Sequence, residues 1–229
     1  MPAPYFIFKG INSNTMNVVV GKLPDIEKAE ANIEKIPIKG RSGFLTYTDG
    51  TYQGTVKPIE CTLDNGSVEA IAAWLEGNGD LILSTEPNRV YDSTIINKIP
   101  FSKVLDTWQD FLVQFECQPF KKATTNGVIT INASGGTVTS PGTGMADPIF
   151  KVFGSGTVIV TINGTAVQLN GLTDYLTIDS YAGECYHLIT EPRNTSMIGD
   201  FPQLQPGVNT ITWTGTVTKI EITPNWRYK

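Results

Sequence analysis

Gly199-Asp200-Phe201-Pro202-Gln203-Leu204-Gln205-Pro206-Gly207-Val208-Asn209-Thr210-Ile211-Thr212-Trp213-Thr214-Gly215 is the stretch whose reading decides the fold of this 229-residue chain. Pro206-Gly207 predicts a turn: proline presets φ at the first central position, and glycine accepts the positive φ that a type II turn needs at the second. From Asn209 to Gly215 the residues then alternate. Ile211 and Trp213 fall on one side and Thr210, Thr212 and Thr214 on the other, the period-2 pattern of a half-buried strand. Phe201 and Leu204 stand before the turn as apolar anchors. The segment reads as an inter-strand crossing pinned to the core of a β-sandwich, with no catalytic loop in it.

The residues before it repeat the pattern. Val128–Asn132, Pro148–Phe153, Thr157–Ile162, Thr165–Leu169, Tyr175–Asp179, Glu184–Ile189, Asn209–Thr214 and Thr218–Ile222 read as short strands, and Asn163-Gly164 is a strong hairpin signal between two of them. Charge thins in the same region. Residues 1–122 hold 12 Lys/Arg and 15 Asp/Glu, whereas residues 123–229 hold 5 and 7. Apolar periodicity is lost over Pro119–Gly127, which reads as a linker. Two domains follow: residues 1–122, β-rich with one helix, and residues 123–229, an all-β sandwich.

In the first domain the helix begins at Asn65-Gly66-Ser67. Ser67 suits the N-cap, Glu69 suits the first turn, and Val68, Ile71, Ala72 and Leu75 form one apolar stripe that ends at Gly77. Trp74 lies at the stripe's edge and packs. Strands are predicted at Tyr5–Ile11, Asn17–Leu23, Ile33–Ile38, Phe44–Asp49, Tyr52–Leu63, Leu81–Ser84, Val90–Ile96, Ile99–Leu105 and Asp110–Gln118, with a hairpin-type turn at Asp49-Gly50. Asp25–Asn32 is polar and reads as an exposed helix or an arm. Tyr5, Phe6 and Phe8 belong to a strand with aromatics on both faces, which needs cover on both sides; a neighbouring subunit would supply it. Lys39-Gly40-Arg41-Ser42-Gly43 lacks the second half of a phosphate-binding loop and the helix that would follow one. It reads as a tight turn exposing Arg41 for a subunit contact.

Composition excludes several classes. A net charge of −5 argues against a protein that grips nucleic acid by neutralising phosphates. Cys61, Cys117 and Cys185 sit singly in apolar or alternating runs and read as buried small hydrophobes in a reducing compartment, with no metal site and no cofactor site. No apolar run is long enough for a membrane helix, and the N-terminus has no secretory pattern; a soluble cytoplasmic protein without membrane insertion is expected. An enzyme reading finds little. His187 is the lone histidine, in an alternating strand; Asp179 and Ser180 occupy a strand end and turn; Gly154-Ser155-Gly156 lacks the outer spacing of a nucleophile elbow. No catalytic residue is assigned. Tyr181, Trp213 and Trp226 could present an aromatic sugar platform on the sandwich, which makes a carbohydrate-binding adhesion module the alternative function. Alternation puts Trp213 on the apolar face, which favours core packing, and the chain has no His-x-Asn-x-Arg sugar-site pattern.

Several pieces taken in order resemble the distal tail protein family of phages with long non-contractile tails. They are Gly40–Gly43, Ile71–Ser84 (Ile-Ala-Ala-Trp-Leu-Glu-Gly-Asn-Gly-Asp-Leu-Ile-Leu-Ser), Val90-Tyr91-Asp92, Phe115–Phe120, Ile162-Asn163-Gly164, Leu176–Ser180 and Gly199–Gly215. The resemblance spans essentially the whole chain. It implies a structural protein of the virion's distal tail tip, made and assembled in the host bacterial cytoplasm. Its first domains would form a homo-oligomeric ring, a hexamer, around a channel, with galectin-like second domains projecting outward. The implied partners are the tail tube protein, the tail-tip or tail-associated protein and a receptor-binding protein, with DNA passing through the bore unbound. A bore that lets a polyanion slide should be neutral or acidic.

Overall fold

The computed structural model describes residues 3–105 and 107–229. It is mainly β with one α-helix, and the chain divides into two compact units, the first running to Thr124 and the second spanning Thr125–Tyr228.

In the first unit the elements are β1 (Phe6–Phe8), β2 (Ile11–Asn12), β3 (Val18–Lys22), β4 (Glu34–Pro37), β5 (Phe44–Tyr47), β6 (Thr55–Asp64), α1 (Val68–Trp74), β7 (Asn78–Leu83), β8 (Arg89–Ile95), β9 (Ser102–Lys103), β10 (Trp108–Cys117) and β11 (Lys121–Ala123). An antiparallel sheet runs in the order β2-β1-β7-β8-β10-β6-β3, and β4 and β5 form a separate hairpin. The long β6 and β10 are its spine. Their register sets Cys61 beside Phe111 and Ile59 beside Val113 on one buried face, and α1 covers that face.

Ser67 caps α1 by accepting the Ala70 N–H at 3.2 Å. The buried side is Ile71, Trp74 and Leu75, while Ala72 faces solvent, so the stripe is turned from its expected centre. Trp74 is the reason. Its ring stacks on Phe6 at 5.3 Å and its indole N–H donates to the Phe8 carbonyl at 3.0 Å; satisfying that donor in the core fixes the helix's rotation. Phe6 and Phe8 are wholly buried here, each packed edge-on against Phe115. The chain itself covers the face that carries Phe6 and Phe8, which removes those two as subunit contacts, while Tyr5 and Ile7 on the other face stay half-buried. Three other expectations change. The Ile99–Leu105 strand shrinks to β9, the strand around Tyr52 starts only at Thr55, and β5 pairs with β4 across the Lys39–Gly43 turn, not with β6 across Asp49-Gly50.

A charged cluster lies within this unit. Lys57 is 2% exposed, donates to the Asp25 carbonyl at 3.3 Å and sits over the Tyr91 ring. The Tyr91 hydroxyl bonds the Glu86 carboxylate, which also pairs with Lys121 at 2.7 Å. Burial raises the Glu86 pKa, but the hydrogen bonds from Lys121 and Tyr91 and the Lys121 and Lys57 charges outweigh it and leave it below the ordinary value.

The second unit contains β12 (Ile129–Ile131), β13 (Gly136–Ser140), β14 (Ile149–Ile162), β15 (Thr165–Leu172), β16 (Tyr175–Asp179), β17 (Glu184–Tyr186), β18 (Met197–Ile198), β19 (Gly207–Thr223) and β20 (Arg227–Tyr228). Two pairs of expected strands are each one long strand. Pro148–Phe153 and Thr157–Ile162 merge into the 14-residue β14, and Asn209–Thr214 and Thr218–Ile222 merge into the 17-residue β19. The glycines that separate the expected strands sit at bulges. β14 and β19 pair on both sides of register shifts around Gly154–Gly156, and Gly215 opposite has φ +89°. A Cβ on Gly154 would lie 2.0 Å from the Thr216 carbonyl oxygen, so only glycine lets the strands approach this closely at the bend.

Because both long strands bend together, one sheet supplies two layers. The Ile149–Phe153 part of β14 pairs with β16, and the part after the bulge pairs with β15; β19 pairs with β13 through its first half and β12 through its second. Phe150, Val152, Val158, Val160, Ile162, Ile211, Ile220 and Ile222 all turn inward and are buried. β13 was not expected, since Gly-Thr-Val-Thr-Ser offers a single apolar residue to the pattern.

Candidate functional surface

Gly207 has the positive φ, +85°, that the predicted turn requires, and Leu204 is buried and bridged to Ala146. The residue that ties them is Asn209, which is fully buried. Its Oδ1 accepts from the Gln205 N–H at 2.8 Å and from Asn163 Nδ2 at 2.7 Å. Its Nδ2 donates to the carbonyls of Gln205 (2.9 Å), Gly207 (3.0 Å) and Val138 (3.3 Å). One side chain thus joins the turn, β13 and the Asn163-Gly164 hairpin. Alternation alone did not single it out. Trp213, expected in the core, is half-buried: it stands just before the Gly215 bulge, where the inward alternation gives way.

The aromatic sugar platform weighed as the alternative does not come together. Tyr181 is 62% exposed beneath the Arg227 guanidinium, but Trp226 is 8% exposed and packs inward. Residues weighed for catalysis have other partners. Ser180 Oγ donates to the Pro202 carbonyl at 2.7 Å, Asp179 accepts the Tyr181 and Ala182 N–H groups, and His187 Nδ1 faces Glu191 at 3.2 Å. None of these bonds joins Ser180 to His187. Among the described residues no cluster of His, Cys, Asp or Glu could hold a metal ion, and no helix is long and apolar enough to cross a membrane.

The surface that stands out is the β4–β5 hairpin. Ile36 pairs with Leu45 and Pro37 with Phe44, and the ladder is extended at its base by the Asn32 N–H to the Thr51 carbonyl (3.0 Å) and the Gln53 N–H to the Glu30 carbonyl (2.8 Å). Ile33, Ile36, Ile38, Phe44, Leu45 and Tyr47 are all exposed, Phe44 and Tyr47 by more than half. A two-stranded hairpin is marginal in water without a packed face, and exposed apolar surface of this kind marks an interaction site. From Glu34 to Tyr47 its charge is cationic, Lys35, Lys39 and Arg41 against Glu34, whereas Glu30 and Asp49 make its base acidic. Arg41 lies exposed in the turn, its N–H donating to the Ile38 carbonyl at 3.2 Å, with Gly40 and Gly43 both at positive φ. Tyr5 is half-buried at the start of β1, its N–H bonded to Ser84 Oγ.

The outward face of the first unit's sheet is mostly acidic, with Lys22 opposite Glu60 as a basic exception. Glu60, Asp64, Asp110 and Glu116 project outward from β6 and β10, and Asp80 and Asp92 stand opposite one another on β7 and β8. Lys122 pairs with Asp92 at 3.3 Å. Within this face Gly21, Glu60, Thr62, Ser102, Asp110 and Leu112 line a shallow recess of about 400 Å³.

No family model matches the chain, and no curated protein matches it. Among solved structures, the crystal structure of the Dit protein (gp 19.1) of phage SPP1, described as a paradigm of the hub adsorption apparatus in phages infecting Gram-positive bacteria, superposes with a TM-score of 0.79. The two share 15% sequence identity over 96% of this chain and 98% of that one. The fold of this chain is thus the Dit fold, as the resemblance implied.

Proposed function

We propose that this chain is a structural subunit of a phage tail tip, a hub component that acts through assembled surfaces and carries out no reaction. The observation that carries this reading is the likeness of fold to a hub adsorption protein over nearly the full length of both chains. The hairpin adds a physical reason: it presents apolar side chains that its own unit leaves in water, so a second copy that covers them gains their burial. Repeated around an axis, such a contact closes a ring, which the family resemblance makes hexameric. The ring would join the tail tube to the tail-tip proteins, with the galectin-like second unit outward, where a receptor-binding protein would attach. A neutral or acidic channel surface would suit a bore that must not retain DNA.

Light scattering and negative-stain electron microscopy of the purified full chain test this. Rings, and co-purification with a tail tube subunit expressed beside it, are the expected result. A monomer at high concentration that forms no rings and binds no tail subunit overturns it.

A further inference from the structure

The hairpin is cationic and apolar, and the recess on the outer face of β3, β6 and β10 is acidic with an apolar wall. We infer that the hairpin of one copy seats in this recess on the next copy, with Arg41 and Lys39 facing Glu60 and Asp110. The proposal rests on the ring reading above and names the contact that would build it.

The complementarity is specific in sign and in shape. Glu60 and Asp110 are the carboxylates in the lining of the recess, and Lys22, opposite Glu60 in the β3–β6 register, stands at its edge. Thr62 Oγ1 donates to one oxygen of Asp110 at 2.6 Å, which fixes the carboxylate and leaves its other oxygen for an incoming cation. Gly21 sits where β3 slips register against β6, between Val20 and Lys22; without a side chain there, the recess stays open. Val19 on β3 and Leu112 on β10 are exposed on the same outer face and offer apolar contact to Phe44 and Leu45. A planar guanidinium is the better match to paired carboxylates. The two surfaces are different patches of one chain, so the contact is head-to-tail, the kind that propagates into a closed ring.

Cysteine pairing tests the contact directly, because Cys61, Cys117 and Cys185 are buried. Full-length Arg41→Cys and Glu60→Cys proteins are mixed and oxidised with copper phenanthroline. The expected product is a disulfide between the two variants, with little self-linking of either alone. In parallel, Lys39→Glu with Arg41→Glu should weaken self-association about tenfold or more, as should Glu60→Lys, and combining Arg41→Glu with Glu60→Lys should restore most of it. Rings that form with no 41–60 crosslink and with charge variants unaffected overturn this docking and leave the ring reading standing. Self-linking of Arg41→Cys alone also overturns it, since that contact is symmetric. A protein that never associates removes both.

Discussion

Asn209→Ala is the substitution whose effect the structure specifies most fully. It removes the acceptor for the Gln205 N–H and the Asn163 amide and the donor to the carbonyls of Gln205, Gly207 and Val138. Each hydrogen bond is worth about 1 kcal/mol net, and groups left unpaired where water cannot enter cost about 1–3 kcal/mol. The turn end of this network can recover solvent, whereas the bond to Val138 is fully buried, so the expected total is about 2–4 kcal/mol. For a unit of this size that lowers the melting temperature by roughly 10–25 °C. Calorimetry of the full chain is the assay, with the loss confined to the transition that carries Trp213 and Trp226 fluorescence. Asn209→Asp sharpens the test: it keeps the acceptor but turns a buried anionic oxygen toward three carbonyl oxygens, so it should cost at least as much as alanine. A loss below about 0.5 kcal/mol for alanine, or an aspartate variant more stable than the alanine one, would refute the clasp.

Gly154→Ala should cost about 3 kcal/mol, because its Cβ would meet the Thr216 carbonyl, whereas Gly156→Ala, with open space around it, should cost only the positive-φ strain of about 1–2 kcal/mol; urea titration of both variants checks the order. Glu86 has a folded pKa below its unfolded value, so its contribution is full above the unfolded pKa and fades as pH falls through the folded one. The stability gap between the parent and Glu86→Gln should therefore narrow below about pH 4, and a gap independent of pH in denaturant melts would contradict the ion-pair account. Burial pushes the Cys61 and Cys117 thiols up to about 12 and Cys185 to about 11, so none should react with a disulfide reagent at pH 8 until the chain unfolds; rapid labelling of native protein would count against their burial.

Much of this architecture was legible because it depends on short-range rules. Ser67 announced the helix by the hydrogen bond an N-cap makes, Pro206-Gly207 and Asn163-Gly164 announced turns by the φ values they accept, and alternation placed Ile211, Val113 and Phe115 inward. The same rules erred where a local signal has two tertiary uses. Gly154-Ser155-Gly156 and Gly215 broke the alternation into separate expected strands, yet they serve a bulge within one strand, because what matters is a carbonyl from a strand some 60 residues away. Phe6 and Phe8 looked in need of a partner, yet Trp74 and Phe115 cover the face they share.

The sequence by itself determined that the chain is mainly β with one helix, that its later half is built of alternating strands, and that no residue pattern calls for catalysis; each of these follows from periodicity, turn chemistry and residue type. Only the tertiary structure decided which apolar residues stay in water. Ile36, Phe44 and Leu45 resemble any strand residues in sequence, but the sheet closes without them and leaves the hairpin bare. It likewise decided that Asn209 is a buried tie and that Trp226 is core, because burial and hydrogen-bond partners are set by segments far apart in the chain.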